Sequence, residues 1–375
     1  MKHLKFTILA LGLTMFYSCS SGGEDEPIPP ASGGDVTVTI STEILTKANV
    51  TTAFASGDAM NVFPKTYGKI DAPNRVDNVK ATLSGANWSM SPEVKISKGE
   101  NAFIYAVAPY NVAYTDATAI PVDVSQQIDL LYSGSYVPVS YTTHNAKLVM
   151  KHALSLVSFN ISKQGYSGAG NLSKMSISGD NVYTKGTMKV DNGKITGTSK
   201  DVFTFNVSKN ISEAGWSEDL PRMWQIPFST KINKVNIAIT IDNVTYNVEF
   251  PEVEMKSGYQ YIFRMVLTDY GLEFIPGAVE TISLNQEEDA MSALNGYGVL
   301  TITHVGSELM IPAFTGDDVF GTITWGDGAS SSYKPKATHV YSGTSEKEVV
   351  IESWNSTGFE LEKLTGIETI DLTSY

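Results

Sequence analysis

Only one side chain in this sequence is placed for covalent chemistry, and it stands at position 19. Cys19 is the only cysteine, so no disulfide within the chain and no cysteine-based zinc site can form. Its thiol closely follows an apolar run, Phe6 to Tyr17, that is led by Lys2 and Lys5. About twelve apolar residues suit a secretory signal and are too short to span a bilayer. The five histidines (His3, His144, His152, His304, His339) never fall at the i, i+4 spacing of a helical metal site. Asp317, Asp318 and Asp327 carry hard oxygen ligands of the kind calcium takes, although their spacing matches no calcium loop. Glu252/Glu254 and Glu287/Glu288 are close carboxylates. On a strand, residues two apart share a face, so Glu252/Glu254 reads as a solvated edge. No G-x-S-x-G, H-E-x-x-H, P-loop or G-x-G-x-x-G occurs. The expectation is a chain with no enzymatic activity, no metal and no cofactor.

The balance of residues points the same way. Of 375 residues, 42% are hydrophobic and 18% charged, enough to bury a sizeable core. Lys and Arg number 27 against 40 Asp and Glu, a net charge of −13, and no basic block appears. Nucleic acid is excluded as a partner, because phosphate binding needs a positive surface.

Phe16-Tyr17-Ser18-Cys19 resembles a bacterial lipobox, with Phe and Tyr where Leu and a small residue are usual. That resemblance implies a lipoprotein signal peptide over 1–18 and palmitate-type acylation at Cys19. It also implies anchoring in the outer membrane, to which each buried acyl methylene contributes ~0.8 kcal/mol. Ser20-Ser21-Gly22-Gly23-Glu24-Asp25-Glu26 resembles the acidic export signal of Bacteroidetes surface lipoproteins and reads equally as a solvated tether. Pro27-Ile28-Pro29-Pro30 and Ser32-Gly33-Gly34 complete a linker over 19–34.

From Asp35 onward the patterning is that of strands. Val36 to Ile40 alternates with period two. Two alternating runs, Val235 to Ile241 and Val244 to Phe250, flank Asp242-Asn243 and predict a hairpin, since both turn residues tolerate positive φ. Asp191-Asn192-Gly193 gives a second hairpin signal. Ala153, Val157, Phe159 and Ile161 mark one face of another strand, and Tyr259 to Thr268 is rich in strand formers. Helical patterning is confined to Glu287–Leu294 and Gln126–Tyr132. Turn residues recurring every 8–12 positions predict β-sandwiches rather than βαβ units. The expected divisions are 35–150, 151–272 and 273–375, with Phe274-Ile275-Pro276-Gly277 as a connector.

Four segments, in order, resemble the fimbrillin-like family of Bacteroidetes. They are Phe54-Ala55-Ser56-Gly57-Asp58-Ala59-Met60-Asn61-Val62-Phe63, Phe103 to Tyr110 with its Ala-x-x-Pro-Tyr-like end, Asp129-Leu130-Leu131-Tyr132-Ser133, and Val149-Met150-Lys151-His152-Ala153-Leu154-Ser155. From the residues alone none of these needs chemistry: Gly57-Asp58 suits a turn, Pro109 ends a strand, and His152 reads as a hydrogen-bonded core histidine. The resemblance, over about 36–270, implies two tandem transthyretin-like Greek-key sandwiches. It also implies a role in surface pili, where a trypsin-like protease removes the first strand. A strand of the next subunit then fills the groove by β-strand addition. Stalk subunits are cut after an arginine, whereas the first arginine here is Arg75 and Lys47 is the only basic residue near the expected place. An uncut chain suits an anchor or tip piece.

The tail departs from that pattern as well. Trp325-Gly326-Asp327-Gly328 with His339-Val340-Tyr341 resembles the core of PKD-type surface domains. Gly326-Asp327-Gly328 predicts a tight turn and Trp325 a core residue, with His339 and Tyr341 beginning the answering strand. Leu361, Leu364, Ile367, Ile370 and Leu372 look like one leucine-rich turn, too few for a solenoid, and predict a capping strand. The leading expectation is a pilus component in assembly and adhesion, with other pilus subunits as partners. The alternative is a glycan-binding surface lipoprotein, its Tyr and Trp stacking on host or bacterial surface sugars.

Overall fold

Period-two alternation is realised as strand through most of the described residues. The structure is a computed structural model that describes residues 34–44, 53–211, 222–231, 234–285, 296–360 and 366–375. Cys19, Lys47 and the expected helix Glu287–Leu294 lie outside the described residues. Among the described residues the one helical element is a 3-10 turn, Val124–Gln126. No described helix is long and apolar enough to cross a membrane.

The first sheet runs in the order Thr39–Ile44, Asn145–His152, Leu131–Tyr132, Asn101–Ala108, Ala59–Lys65, Val79–Ser84, Asn87–Ser91, with Val137–Ser140 also paired to Asn101–Ala108. Asn101–Ala108 is buried on both faces. Ala102, Ile104, Ala106 and Ala108 enter one core, while Phe103, Tyr105 and Val107 enter another. A strand covered on both sides reads as a continuous apolar run, as this one does.

The second sandwich packs two four-stranded sheets. One is Arg222–Gln225, Ser155–Lys163, Tyr259–Thr268, Gly271–Ser283; the other is Phe203–Asn210, Asn171–Gly179, Val235–Ile241, Val244–Glu249. Val157, Phe159, Ile161 and Phe263 meet Met175, Ile177, Ile237 and Ile239 between them. The hairpin turn at Asp242 (φ 48°) and Asn243 (φ 66°) is as expected. The Asp191-Asn192-Gly193 turn joins Lys185–Met188 to Ile195–Ser199, and Ile120–Asp123 adds to that pair as a third strand. A strand from the first division therefore completes a sheet of the second.

Two expectations are corrected here. Phe274-Ile275-Pro276-Gly277 is no connector: it lies inside the 13-residue strand Gly271–Ser283, which pairs with Tyr259–Thr268 across a register shift between Phe263 and Met265. An edge strand with a bulge accommodates both Pro and Gly, and the sheet runs past the expected end at 272. Gln126–Tyr132 is no helix. Gln127 adopts a left-handed conformation (φ 53°) that ends the 3-10 turn. Leu131 then enters one core while Leu130 and Tyr132 enter the other, the signature of a strand.

The C-terminal part has a five-stranded sheet, Ser330–Ser332, Phe320–Thr324, Lys347–Trp354, Gly298–His304, Ile367–Ser374, whose inner face carries Leu300, Ile302, Ile323, Trp325, Val349 and Ile351. Ile367–Ser374 caps its edge, as the leucine-rich spacing predicts. The answering strand differs from expectation. Ser330–Ser332 answers Phe320–Thr324, whereas Thr338–Val340 pairs with Glu308–Met310.

Candidate functional site

The N-terminal edge of the first sheet is where the sequence places its strand-exchange expectation. Thr39–Ile44 pairs in parallel with Asn145–Met150, from Thr39↔Asn145 to Ile44↔Met150, and ends the sheet. Val36–Thr37 pairs antiparallel with Lys95–Ile96. Alternation decides which side chains insert: Val38 (2% exposed), Ile40 (7%) and Ile44 (8%) enter the core. Between them Thr42 Oγ1 accepts a 3.1 Å hydrogen bond from Trp88 Nε1, linking the two ends of the sheet. Ser41 and Glu43 face outward, with Ser41 Oγ donating to Asn145 Oδ1 (3.1 Å) and Glu43 2.9 Å from Lys147 Nζ. This pair is solvent-exposed, so burial of the apolar residues dominates the strand's attachment.

Arg75 is not held as an open cleavage site. Its Nη2 lies 2.6 Å from Glu100 Oε2, and its Nη1 donates to the Asn101 carbonyl at 3.0 Å.

His152 is the core histidine the sequence predicts. It is fully buried, Nδ1 lies 2.8 Å from Asp129 Oδ2, and the ring stacks on Trp224 at 5.9 Å. Glu254 forms an exposed pair with Lys231 at 3.3 Å, consistent with a solvated edge.

The Trp-Gly-Asp-Gly segment is built as a structural knot. Gly326 has φ 79°, and a Cβ there would run into the Glu348 carbonyl, so only glycine fits. His339 stacks on Trp325 at 4.7 Å, its Nε2 lies 2.8 Å from Asp327 Oδ2, and the Tyr341 hydroxyl donates to the Trp325 carbonyl at 3.1 Å. The hydrogen bond from His339, with one from the Ala329 amide, holds the Asp327 carboxyl below its ordinary value of 3.8. Asp318 is used elsewhere, accepting from Thr142 N (3.0 Å) and Oγ1 (2.9 Å). Among the described residues no three His, Cys, Asp or Glu side chains are grouped to hold a metal.

A depressed folded pKa stabilises the fold above the unfolded value, and that contribution is lost as pH falls through the folded one. Asp327→Asn is therefore expected to be less stable than the parent at neutral pH, with the gap narrowing below pH 3.8. Urea unfolding across a pH series checks this. A gap that stays constant with pH would discard the Asp327–His339 bond as its source.

One contact surface escapes sequence reasoning. Phe320, Thr322, Glu352 and Trp354 share the outer face of the C-terminal sheet, because Phe320 pairs with Trp354 and Thr322 with Glu352. That face docks on the outer face of the first sheet. Trp354 (1% exposed) stacks on Phe320 at 5.5 Å and meets the Phe103 ring at 5.7 Å and the Tyr136 ring at 6.0 Å. The Tyr136 hydroxyl donates to Glu352 Oε2 (3.2 Å), and the Gly68 amide donates to Thr322 Oγ1 (2.8 Å). A Cβ at Gly68 would lie 2.7 Å from the Tyr136 ring, so the close approach requires glycine. The readable signal was an aromatic residue on the Glu348/Val350/Glu352 face of an alternating strand.

A profile of the fimbrillin-like family matches residues 46–285. No curated protein matches the chain. Among solved structures, the chain is similar to a candidate cell adhesion protein of Bacteroides uniformis at 17% identity and TM-score 0.51, covering 67% of this chain and 99% of that one. It is also similar to a candidate cell adhesion protein of Bacteroides ovatus at 14% identity and TM-score 0.50, covering 68% of this chain and all of that one. These two likenesses bear on the fold alone; the profile, spanning well over half of the sequence, establishes kinship. This all-β chain belongs to the fimbrillin-like family.

Proposed function

We propose that this chain is a non-enzymatic, lipid-anchored subunit of an outer-membrane fimbrium, in an anchor or tip position, joined to its neighbours by β-strand addition. The observation that carries this reading is the first strand. It sits at a sheet edge with one parallel neighbour, and Ile40 and Ile44, with Val38 just before them, are buried in a core shared with the rest of that sheet. A strand in that position is replaceable by one of matching alternation from another chain. Family membership supports association with other pilus subunits. The units proposed are two transthyretin-like sandwiches, 35–150 and 151 to about Ser283, followed by a PKD-like unit.

The absence of arginine before Arg75, itself engaged with Glu100, favours an end position over the stalk. Such a piece keeps its own first strand and its lipid on Cys19. Processing at Lys47 would convert it to a polymerising subunit.

Mass spectrometry of the mature N-terminus from the cell surface tests this. Lipidated Cys19 on an intact chain is the expected result. A new terminus just after Lys47, without lipid, would place the chain inside the polymer instead. Cys19→Ala is expected to abolish membrane association; a mutant that still takes up palmitate and sediments with membranes would refute the lipoprotein reading.

A further inference from the structure

The segment after Asn101–Ala108, the strand Ile120–Asp123 and the residues through Leu130 line a cleft of about 220 Å³. None of the first-strand residues lines it. Tyr110, Tyr114 and Pro121 give it apolar walls, and Asp123, Asp129 and Gln126 give it polar ones. Ile128, 54% exposed, stands on its rim.

The polar wall is held in place before any ligand arrives. Asp123 Oδ1 accepts from the Ser125 amide at 2.9 Å. Asp129 Oδ2 lies 2.8 Å from Nδ1 of the fully buried His152, whose ring is fixed by stacking on Trp224. Tyr110 carries the Lys80 ammonium over its ring at 4.8 Å. Neither Lys nor Arg lines the cleft.

We propose that this cleft binds one pyranose ring at the end of a neutral glycan. A sugar ring presents an apolar C–H face and an edge of hydroxyl donors. Aromatic and proline surface suits the face, and ionised carboxylates, which only accept hydrogen bonds, suit the edge. Small-molecule sites pair an apolar lining with a few placed polar groups in this manner. An anionic ligand finds no lysine or arginine in the lining to pair with. A cationic ligand gains less than the carboxylates alone suggest, because Lys185 Nζ already stands 3.8 Å from Asp123 Oδ2 and His152 already meets Asp129. A cleft of about 220 Å³ lies below the usual range for small-molecule sites, which suits one ring rather than a chain of them. The inference does not depend on the fimbrial reading, since a single unpolymerised chain contains the whole cleft.

Saturation-transfer NMR on the full-length chain tests it, with galactose, mannose, N-acetylglucosamine, glucuronate and spermidine as separate probes at millimolar concentration. Transfer to at least one neutral sugar and none to glucuronate is expected. Asp123→Ala and Ile128→Arg, both at exposed positions, are each expected to weaken that sugar about tenfold, or ~1.4 kcal/mol, with an unchanged unfolding midpoint for Ile128→Arg, since Asp123 also caps the 3-10 turn. Absence of transfer to all three neutral sugars overturns the proposal. So does affinity retained in either variant, or binding of spermidine alone. Each of those outcomes leaves the N-terminal test of the fimbrial reading untouched.

Discussion

Trp354→Ala is expected to destabilise the chain by about 3–5 kcal/mol, the range for removing a large aromatic from a packed core. The ring is fully enclosed, between Phe320 on its own sheet and Phe103, Tyr136 and Tyr297 around it. Its loss leaves a cavity at the point where the C-terminal sheet meets the first, and those aromatic neighbours cannot collapse into it without giving up their own edge-to-face contacts. Denaturant unfolding gives the magnitude. Amide exchange gives the location: Gly298–His304 and Lys347–Trp354 should lose protection, while Val235–Ile241 in the second sandwich should keep it. A loss below about 1 kcal/mol would mean that the seam is incidental, since surface changes away from such features rarely exceed about 0.5 kcal/mol.

The second large effect concerns the first strand. Removing residues through Lys47 strips Val38, Ile40 and Ile44 from the core. At about 1.5–3 kcal/mol for each buried aliphatic side chain, the loss is about 4.5–9 kcal/mol. That is comparable with the whole stability of a domain. The truncated chain is expected to unfold at much lower denaturant or to associate through the exposed edge of Asn145–His152. A synthetic peptide spanning residues 35–46 is expected to raise the midpoint back toward the parent's with the logarithm of its concentration, as binding to the folded state requires. The same peptide with Ile40→Asp should not, because a carboxylate buried without a partner is strongly disfavoured. If the truncated chain unfolds at the parent's midpoint, the strand contributes nothing to the core and strand exchange has no driving force.

The two predictions are connected through the fold. The turn between Val137–Ser140 and Asn145–His152 is held by Asp318, through its bonds to Thr142. The C-terminal sheet thus grips the approach to the strand on which the first strand lies. The family profile ends at residue 285, before this sheet begins. The added part covers the aromatic face of Asn101–Ala108, which carries Phe103 and Tyr105.

Much of this was legible from local pattern. The Asp242-Asn243 turn follows from two residues that tolerate positive φ between alternating runs. The inward pair Val38 and Ile40 follows from period two, and Trp325 as a core residue follows from an aromatic before a glycine turn. His152 as a satisfied histidine follows from its place beside an apolar strand. All of these depend on residues within a few positions of one another. What the sequence left open depends on partners far along the chain. Pro276 and Gly277 resemble a connector until Tyr259–Thr268 pairs around them and turns the interruption into a bulge. Leu130, Leu131 and Tyr132 resemble a helical turn until two separate cores claim alternate residues. Thr338–Val340 finds its partner at Glu308–Met310 rather than in its nearer neighbour. The sequence by itself determined which residues alternate and where the chain turns. Only the tertiary structure decided which strands are neighbours and what covers each outer face, because hydrogen-bond registers and face-to-face packing are set by long-range burial that periodicity does not encode.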